Sequence, residues 1–284
     1  MIDASKKSGA DAVKFQTIIP ERLVSVQQKE RIKQLKKFQL SYDEFTKLSK
    51  VAKNEGVIFL STPFDIDSAL FLNEIVPAFK IASADITNIP LIKHVAEKKI
   101  PVFISTGMAN KQEISEAIDV IQNKGNHDII IMHCITSYPT KPEDANLEMI
   151  RTLQNEFPEN IIGFSDHTLG TDIAVFSTFY GAKSIEKHFT FDNSLTTSPD
   201  HKLSLNPKEF AKMVRQLELS DLSRGLPNRI SFDAEAEAVK FARRSLVSTR
   251  KIPKNIVKLF FRVMFYFDNH INKSDLTMQE FSLL

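Results

Sequence analysis

Short and almost continuously apolar segments alternate with amphipathic segments along most of this chain. Seven of the apolar segments are strand-like, and they span 11–17, 56–62, 78–83, 101–107, 129–134, 163–168 and 184–190. Strands without polar alternation are typical of parallel sheets that are covered on both faces. The segments between them have helical periodicity, so the pattern predicts repeated βα units and a parallel sheet.

The amphipathic segments carry recognisable signals for where helices begin and end. Capping-box patterns are formed by the pairs Ser41 and Glu44, Asn110 and Glu113, and Asn206 and Glu209. Glycines follow helical stretches and precede strands at Gly9, Gly56, Gly125 and Gly181. A glycine in this place is the usual left-handed end of a helix, which supports the predicted element order.

The repeat favours a TIM (β/α)8-type barrel over a Rossmann fold. No glycine-rich dinucleotide fingerprint follows any of the strand-like segments. The chain opens in a helical segment that leads into the first visible strand, so we predict an α/β barrel over residues 1–240 that lacks its first strand. Such a barrel would have two unpaired strand edges, which are a liability.

Composition narrows the class of protein. The 284 residues carry a formal net charge of +2, and Cys134 is the only cysteine. Balanced charge provides no strong field for nucleic acid, and a single cysteine excludes an internal disulfide and favours a reducing compartment. No apolar run reaches the roughly 20 residues that a membrane-spanning helix needs. We therefore predict a cytoplasmic protein that binds neither nucleic acid nor membrane.

Polar side chains gather at the predicted carboxyl ends of the strands, which meet at one mouth in a barrel. Lys14 and Lys80 fall within strand-like segments, where an ammonium group is costly to bury without an anion. Hydroxyl groups accompany them at Thr62, Ser83, Ser105 and Ser165. Together they predict a site for a small, multiply charged anion such as a phosphate ester with a carboxylate. The alternative for each lysine is a salt bridge to a carboxylate of a neighbouring strand.

Two histidines end consecutive predicted strands. His167 closes the segment GFSDHT and His188 lies in SIEKHFT. Two neutral imidazoles at one mouth suit a divalent first-row metal, completed by water or substrate oxygens. The alternative is a pair of hydrogen-bonded structural histidines, and Asp166 could equally cap a loop.

A series of ordered motifs resembles one known family. They read GADAVKFQT, FLSTPFD, FKIASADITNIPLI, ISTGMA, HCITSYPTKPEDANL, IGFSDHTLG, IEKHFT and PDHKLSL. Their order and spacing resemble the N-acetylneuraminate synthase family, which makes sialic acid and related nonulosonic acids, including legionaminic acid. The resemblance covers about residues 7 to 250.

The resemblance implies a dimeric TIM-barrel enzyme that condenses phosphoenolpyruvate with an N-acetylated amino sugar, commonly N-acetylmannosamine, and releases phosphate. It implies that phosphoenolpyruvate is held by Lys14, Thr62, Lys80, Ser83, Ser105 and Ser165. It implies that the sugar faces Gln16, Asp85, Tyr138 and Asp200. It also implies that the metal, usually manganese, is bound by His167 and His188. Among these residues, Lys14, Lys80 and Asp85 are the expected catalytic groups.

The sequence departs from the family pattern at both ends and in its sugar-facing residues. The family's first strand, which carries an acidic residue of the site, is absent, and residues 241–284 are expected to form a linker and a vestigial antifreeze-like (SAF) segment. Thr136 and the wording SYPTKPEDANL resemble members that act on bacillosamine-type sugars. Two alternatives follow: a catalytically inactive, truncated remnant of such a synthase, or another phosphoenolpyruvate-condensing barrel of the 3-deoxy-octulosonate phosphate synthase type.

Overall fold

The protein is described by a computed structural model that covers residues 1–228, 232–244 and 251. Parallel strands follow the predicted order, and they are β1 (Ala12–Thr17), β2 (Ile58–Pro63), β3 (Phe79–Ile81), β4 (Val102–Ser105), β5 (Ile129–Cys134), β6 (Ile161–Asp166) and β7 (Ile185–Lys187). Each strand overlaps one of the strand-like segments of the sequence. The α/β class and the βα repeat are therefore confirmed.

Helices connect the strands. They are α1 (Ile2–Lys7), α2 (Pro20–Leu23), α3 (Lys29–Lys36), α4 (Tyr42–Asn54), α5 (Ile66–Leu72), α6 (Ile89–Ala96), α7 (Lys111–Asn123), α8 (Glu148–Glu156), α9 (Asp172–Phe179), α10 (Pro207–Ser223) and α11 (Ala236–Ala242). All three predicted capping boxes are present, at the starts of α4, α7 and α10. The four predicted helix-ending glycines have positive φ angles, which confirms their role.

The strands form two hydrogen-bonded ladders in the described part of the chain. One ladder joins β1 to β2, the other runs β3-β4-β5-β6-β7, and β2 packs against β3. Within the described residues, β1 and β7 each have a ladder partner on one side only. The absent first strand stays a prediction, and most of the predicted SAF segment (245–250 and 252–284) lies outside the described residues.

Large apolar side chains fill the space between the sheet and its helices. Phe79 and Ile81 of β3, Ile131 of β5 and Phe164 of β6 are almost completely buried, and Phe45 of α4 joins the same cluster. Each fully buried side chain of this size contributes about 1.5–3 kcal/mol to folding by leaving water. This packing holds the strand ends, and therefore the polar groups on them, in a fixed arrangement.

The chain divides into two units. Met1–Gly225 contains every strand of the described residues, and the second unit begins at Leu226. The predicted domain boundary at 240/241 stays a prediction. The first unit ends at Gly225, which follows α10 and takes a left-handed φ of 65°. In the described residues, the helices are too short or too polar to span a bilayer.

Gly163 of β6 lies between Met132 of β5 and the backbone of Ser184, which precedes β7. A methyl group at this position would overlap the Met132 sulfur and lie 2.7 Å from the main-chain oxygen of Ser184. The sulfur can move with its flexible side chain, but the carbonyl oxygen belongs to the backbone that leads into β7. The absence of a side chain is therefore required for β7 to lie against β6.

We expect the substitution Gly163→Ala to lower the free energy of unfolding by about 1–3 kcal/mol, because overpacking forces neighbouring backbone to shift. Urea denaturation followed by circular dichroism measures this change. Glu116→Ala on the exposed face of α7 is the control, with an expected change within about 0.5 kcal/mol. Equal stability of the two variants would contradict the close approach at Gly163.

Candidate active site

Two neighbouring strand ends set the frame of the site. In the parallel register of β6 and β7, Ser165 lies opposite Glu186 and Asp166 lies opposite Lys187. Because successive side chains of a strand point to opposite faces, Ser165 and Glu186 share one face and the next pair shares the other. His167 and His188 follow directly, and their rings approach on the same side as the first pair.

The carboxylate of Glu186 is the centre of a charged cluster drawn from four strands. Lys80 donates from Nζ to both carboxylate oxygens, at 3.0 Å and 2.8 Å, and the Lys14 Nζ lies 3.7 Å from Oε1. Ser165 donates its hydroxyl to the same Oε1 at 2.9 Å. The Lys80 side chain is only 4% exposed, whereas Lys14 and Glu186 are 24% and 28% exposed. Lys14 and Glu186 therefore face an accessible space.

The charges in this cluster perturb each other. Burial acts to raise the pKa of Glu186, but the charges of Lys14 and Lys80 outweigh burial and hold that pKa far below its ordinary value. Burial lowers the pKa of Lys14, the Glu186 carboxylate offsets this only in part, and the charge of Lys80 adds to the lowering. Glu186 is therefore ionised at neutral pH.

The arrangement of the two lysines agrees with both hypotheses from the sequence, the salt bridge and the anion site. Each pairs with a carboxylate of another strand, as the salt-bridge alternative required. Yet two ammonium groups share the single carboxylate of Glu186, so one positive charge is in excess when both lysines are protonated. An anion that enters beside Lys14 would meet this excess charge and the donors around it.

The two predicted imidazoles converge. Ring centroids of His167 and His188 are 5.3 Å apart, and the Tyr138 ring lies 4.2 Å from the first and 6.0 Å from the second. Nδ1 of His167 is 2.8 Å from the main-chain oxygen of Ile135. A carbonyl oxygen only accepts, so Nδ1 carries the proton and Nε2 of neutral His167 keeps a lone pair.

Burial lowers the pKa values of both imidazoles, and for His188 the neighbouring His167 adds to this effect. Both rings are therefore neutral near pH 7, which is the form that binds a metal. The donor set fits two ligands of a divalent first-row ion. In the part of the chain that the structure describes, no group of three or more His, Cys, Asp or Glu side chains is arranged to hold a metal. A metal on this pair would thus draw its other ligands from water or substrate.

A cavity of about 480 Å3 opens beside the two groups of side chains. Its lining includes Lys14, Gln16, Lys80, Glu186, His188 and Asp200. Asp200 lies close enough to His188 and Tyr138 to raise the pKa of each by its charge, although burial and the other His dominate at His188. The cavity therefore joins an anion-attracting corner to a wall that includes His188.

The remaining predicted residues lie at other strand ends. Ser83 accepts the Gly107 N–H at 3.1 Å and donates to the Cys134 sulfur at 3.7 Å. Asp85 accepts a hydrogen bond from Asn88 at 3.0 Å, and burial raises its pKa. Thr62 and Ser105 are buried near the ends of β2 and β4. These four residues do not line the cavity, and neither do Tyr138, Ser165 and His167. Their roles stay predictions.

Two features of the site were missed at the level of sequence. Glu186 was recognised as a strand-end residue but was given no role, although it organises the lysines. Lys187 was recognised likewise, and its Nζ lies 2.7 Å from the Asp166 carboxylate. The available signal was that consecutive strands end in Ser-Asp-His and Glu-Lys-His. Once the register of the two strands is known, Ser165 lies opposite Glu186 and Asp166 lies opposite Lys187.

Comparisons with known proteins agree on one family. The model of the NeuB family matches residues 1–227. An uncharacterized protein of Methanocaldococcus jannaschii is 44% identical over 256 residues, which cover 89% of this chain and 75% of the relative. The N,N'-diacetyllegionaminic acid synthase of Legionella pneumophila is 37% identical over 272 residues, which cover 89% of this chain and 76% of that enzyme.

A solved structure has the same fold. The N-acetylneuraminic acid (sialic acid) synthetase of Leptospira borgpetersenii, crystallised with citrate, superimposes with a TM-score of 0.80. The two sequences are 35% identical, and the match covers 85% of this chain and 84% of that one.

We expect Glu186→Gln to lower the free energy of unfolding at pH 7 by about 3 kcal/mol, because it leaves the buried Lys80 without its counter-charge. The depressed pKa of Glu186 stabilises the folded state above the ordinary glutamate value of 4.5, and this contribution disappears as the pH falls below that value. The difference between wild type and variant should therefore shrink progressively as the pH is lowered from about 4.5 towards the depressed pKa of folded Glu186. Denaturant titrations at several pH values measure it.

Glu97→Gln is the matched control for this experiment. Glu97 pairs with Lys124 on the surface, with 51% and 37% of the side chains exposed. Such a pair contributes about 0–1 kcal/mol. A Glu186→Gln effect as small as that of the control, or one independent of pH, would contradict the central role of the Glu186 carboxylate.

Proposed function

Because the chain belongs to the NeuB family, we propose that it condenses phosphoenolpyruvate with an N-acetylated amino sugar to form a nonulosonic acid and release phosphate. The observation that carries this proposal is the excess positive charge at Lys14 and Lys80. Both lysines line the same cavity as His188. The enzyme class is a C–C bond-forming, phosphoenolpyruvate-dependent sugar-acid synthase.

Phosphoenolpyruvate is a small anion with a phosphate and a carboxylate. Lys14, which lines the cavity and is held to Glu186 only at 3.7 Å, is the cation with most freedom to meet it. Lys80 stays bonded to Glu186 by two hydrogen bonds, and its positive charge adds to the attraction for the anion. The hydroxyls of Thr62, Ser83, Ser105 and Ser165 are proposed to donate to the phosphate and carboxylate oxygens.

The sugar is proposed to occupy the imidazole side of the cavity. Gln16 and Asp200 line the cavity there, and Tyr138 lies against the imidazole rings. Asp85 is proposed to act on the sugar from the end of β3. Manganese is proposed to be held by His167 and His188, and when bound it supplies Lewis-acid polarisation of the sugar's aldehyde oxygen. Neutral imidazoles near pH 7 are the property of this chain that supports that assignment.

The proposed reaction balances as follows. The methylene carbon of phosphoenolpyruvate forms a bond to the sugar's aldehyde carbon, whose oxygen takes a proton to become a hydroxyl. Water adds to the resulting cationic, oxygen-bearing carbon and releases one proton, which balances the proton taken up by the aldehyde oxygen. The tetrahedral intermediate collapses to a ketone as its carbon–oxygen bond to phosphate breaks, and its hydroxyl proton leaves with the phosphate. Lys14 and Lys80 stabilise the negative charge that stays with the leaving phosphate, a contribution of the kind that is often the largest in catalysis.

A bacillosamine-type sugar is the proposed acceptor, with N-acetylmannosamine as the alternative within the same reaction. The motif SYPTKPEDANL supports the first, and relatives named for legionaminic acid and for sialic acid are similar to this chain at nearly equal identity, 37% and 35%. Thr136 lies with Ser83 beside Gly107, and some sialic acid synthases carry asparagine at this place in the motif. Assembly as a homodimer in the cytoplasm is proposed with this function.

We expect purified protein to release phosphate from phosphoenolpyruvate in the presence of manganese and the correct sugar, and Lys14→Met to lower kcat/KM about 100-fold. The variant removes the excess charge but leaves the Lys80–Glu186 pair intact, so the fold should persist. A colorimetric phosphate assay measures turnover, and mass spectrometry identifies the nonulosonic acid.

Lys124→Met is the matched control, because that surface lysine pairs with Glu97 and neither residue lines the cavity. A folded protein that releases no phosphate with any amino sugar tested would overturn the proposed activity and favour an inactive remnant. Turnover only with a phosphorylated pentose would favour an octulosonate phosphate synthase instead.

We expect His188→Ala to abolish turnover at every manganese concentration, because one of the two imidazole ligands is lost. Steady-state assays across a manganese titration measure this, and His201→Ala is the matched control. His201 bonds to Thr190 and Thr197 within its own loop, so its removal affects loop order rather than the imidazole pair. Unchanged manganese dependence in His188→Ala would contradict the metal assignment.

A further inference from the structure

Among the ion pairs of the described residues, the one with the least exposed surface joins Lys187 to Asp166, next to His188 and His167. Lys187 donates from Nζ to Asp166 Oδ2 at 2.7 Å and to the main-chain oxygen of Thr168 at 2.5 Å. The other oxygen of Asp166 accepts the Thr168 N–H at 2.8 Å. Both side chains of the pair are fully buried, with no exposed surface. Every polar atom of the pair therefore has its partner within the turn that follows β6.

The pair occupies the face of β6 and β7 opposite to the chemistry. Its register neighbours, Ser165 and Glu186, bond to each other on the cavity side. Its other neighbours are His167 and His188, whose rings converge. The Asp166–Lys187 pair is thus enclosed between two functional contacts. Lys187 contributes to the cavity lining, while its Nζ is bonded to Asp166 and Thr168.

Few other interactions fix where His188 lies. Strand β7 has three residues, and within the described part of the chain its ladder has a partner on the β6 side only. That ladder ends at Asp166 and Lys187, one residue before the imidazoles. Beyond it, the His188 carbonyl accepts the Leu205 N–H at 2.8 Å. The ion pair is therefore the last cross-strand contact before the two rings.

The same pair fixes His167 from both sides. Asp166 precedes it and Thr168 follows it, and Lys187 binds both of these neighbours. The His167 carbonyl accepts the Thr140 N–H at 2.9 Å, and its ring is oriented by Ile135. Removing Lys187 would free the turn that carries His167 and the strand end that carries His188 at once.

We propose that Asp166 and Lys187 are positioning residues that set the spacing of the two imidazoles for divalent-metal binding. The inference rests on the proposed function, since it assumes that the imidazole pair binds metal. A buried ion pair adds little net stability over apolar side chains of similar size, so stability alone does not account for its presence. Its directional bonds to Thr168 provide a geometric constraint that apolar packing would not.

The test uses the full chain, manganese alone as the probe, and electron paramagnetic resonance of free Mn2+ as the readout. Lys187→Met leaves Asp166 charged and buried, so it should lower the melting temperature as well as manganese affinity. The double variant Asp166→Asn/Lys187→Met removes the unpaired charge and should recover most of the lost melting temperature. We expect both variants, measured where they are folded, to bind Mn2+ about 10- to 100-fold more weakly than wild type.

The double variant distinguishes an effect on the spacing of the imidazoles from an effect on the stability of the fold. It provides this test even if Lys187→Met does not fold. Recovered stability with weak manganese binding supports the inference, whereas wild-type affinity in the folded double variant overturns it. Lys124→Met, which breaks a surface pair, is the matched control with unchanged affinity. If wild type and His188→Ala bind Mn2+ equally, the imidazole pair does not bind the metal, and the inference fails together with the proposed metal site. If His188→Ala alone loses binding and the double variant keeps it, the metal site stands and only the inference fails.

Discussion

The sharing of one carboxylate by two lysines is the interaction on which the rest of this structure depends. Glu186 of β7 holds Lys80 of β3 and attracts Lys14 of β1, while Ser165 of β6 bonds to the same oxygen. Buried charges without partners are strongly destabilising, so these strands cannot separate without exposing that cost. Because two lysines share one carboxylate, one positive charge is in excess at the cavity. Stability and attraction for an anionic substrate thus come from one set of atoms.

Much of the fold could be predicted from sequence because its signals are local. Apolar runs set the strands, capping boxes such as Asn110 with Glu113 set helix starts, and left-handed glycines set helix ends. The lysine and histidine candidates were also accessible, since a charged or imidazole side chain at a strand end is unusual in itself. These predictions needed only the spacing of residues along the chain and the rule that parallel strand ends meet at one mouth.

What could not be predicted depends on register and on turns. Which carboxylate would neutralise Lys80 depends on side chains that are 106 residues apart in sequence, and no local pattern identifies such a partner. Asp85 stands at the end of β3 in the sequence, yet a 3-10 turn over Ser83–Asp85 directs its carboxylate to Asn88.

The arrangement of β6 and β7 shows how a short strand can carry exact chemistry. Alternation divides each strand into a face that holds reactive groups and a face that holds structural ones. Ser165, Glu186 and the imidazoles lie on the first, and the Asp166–Lys187 pair lies on the second. A three-residue strand has too few ladder bonds to fix its end within the few tenths of an ångström that ligand geometry requires. We propose that the Asp166–Lys187 ionic bonds on the reverse face supply that precision. On this proposal the reverse face belongs to the site as much as the cavity wall does.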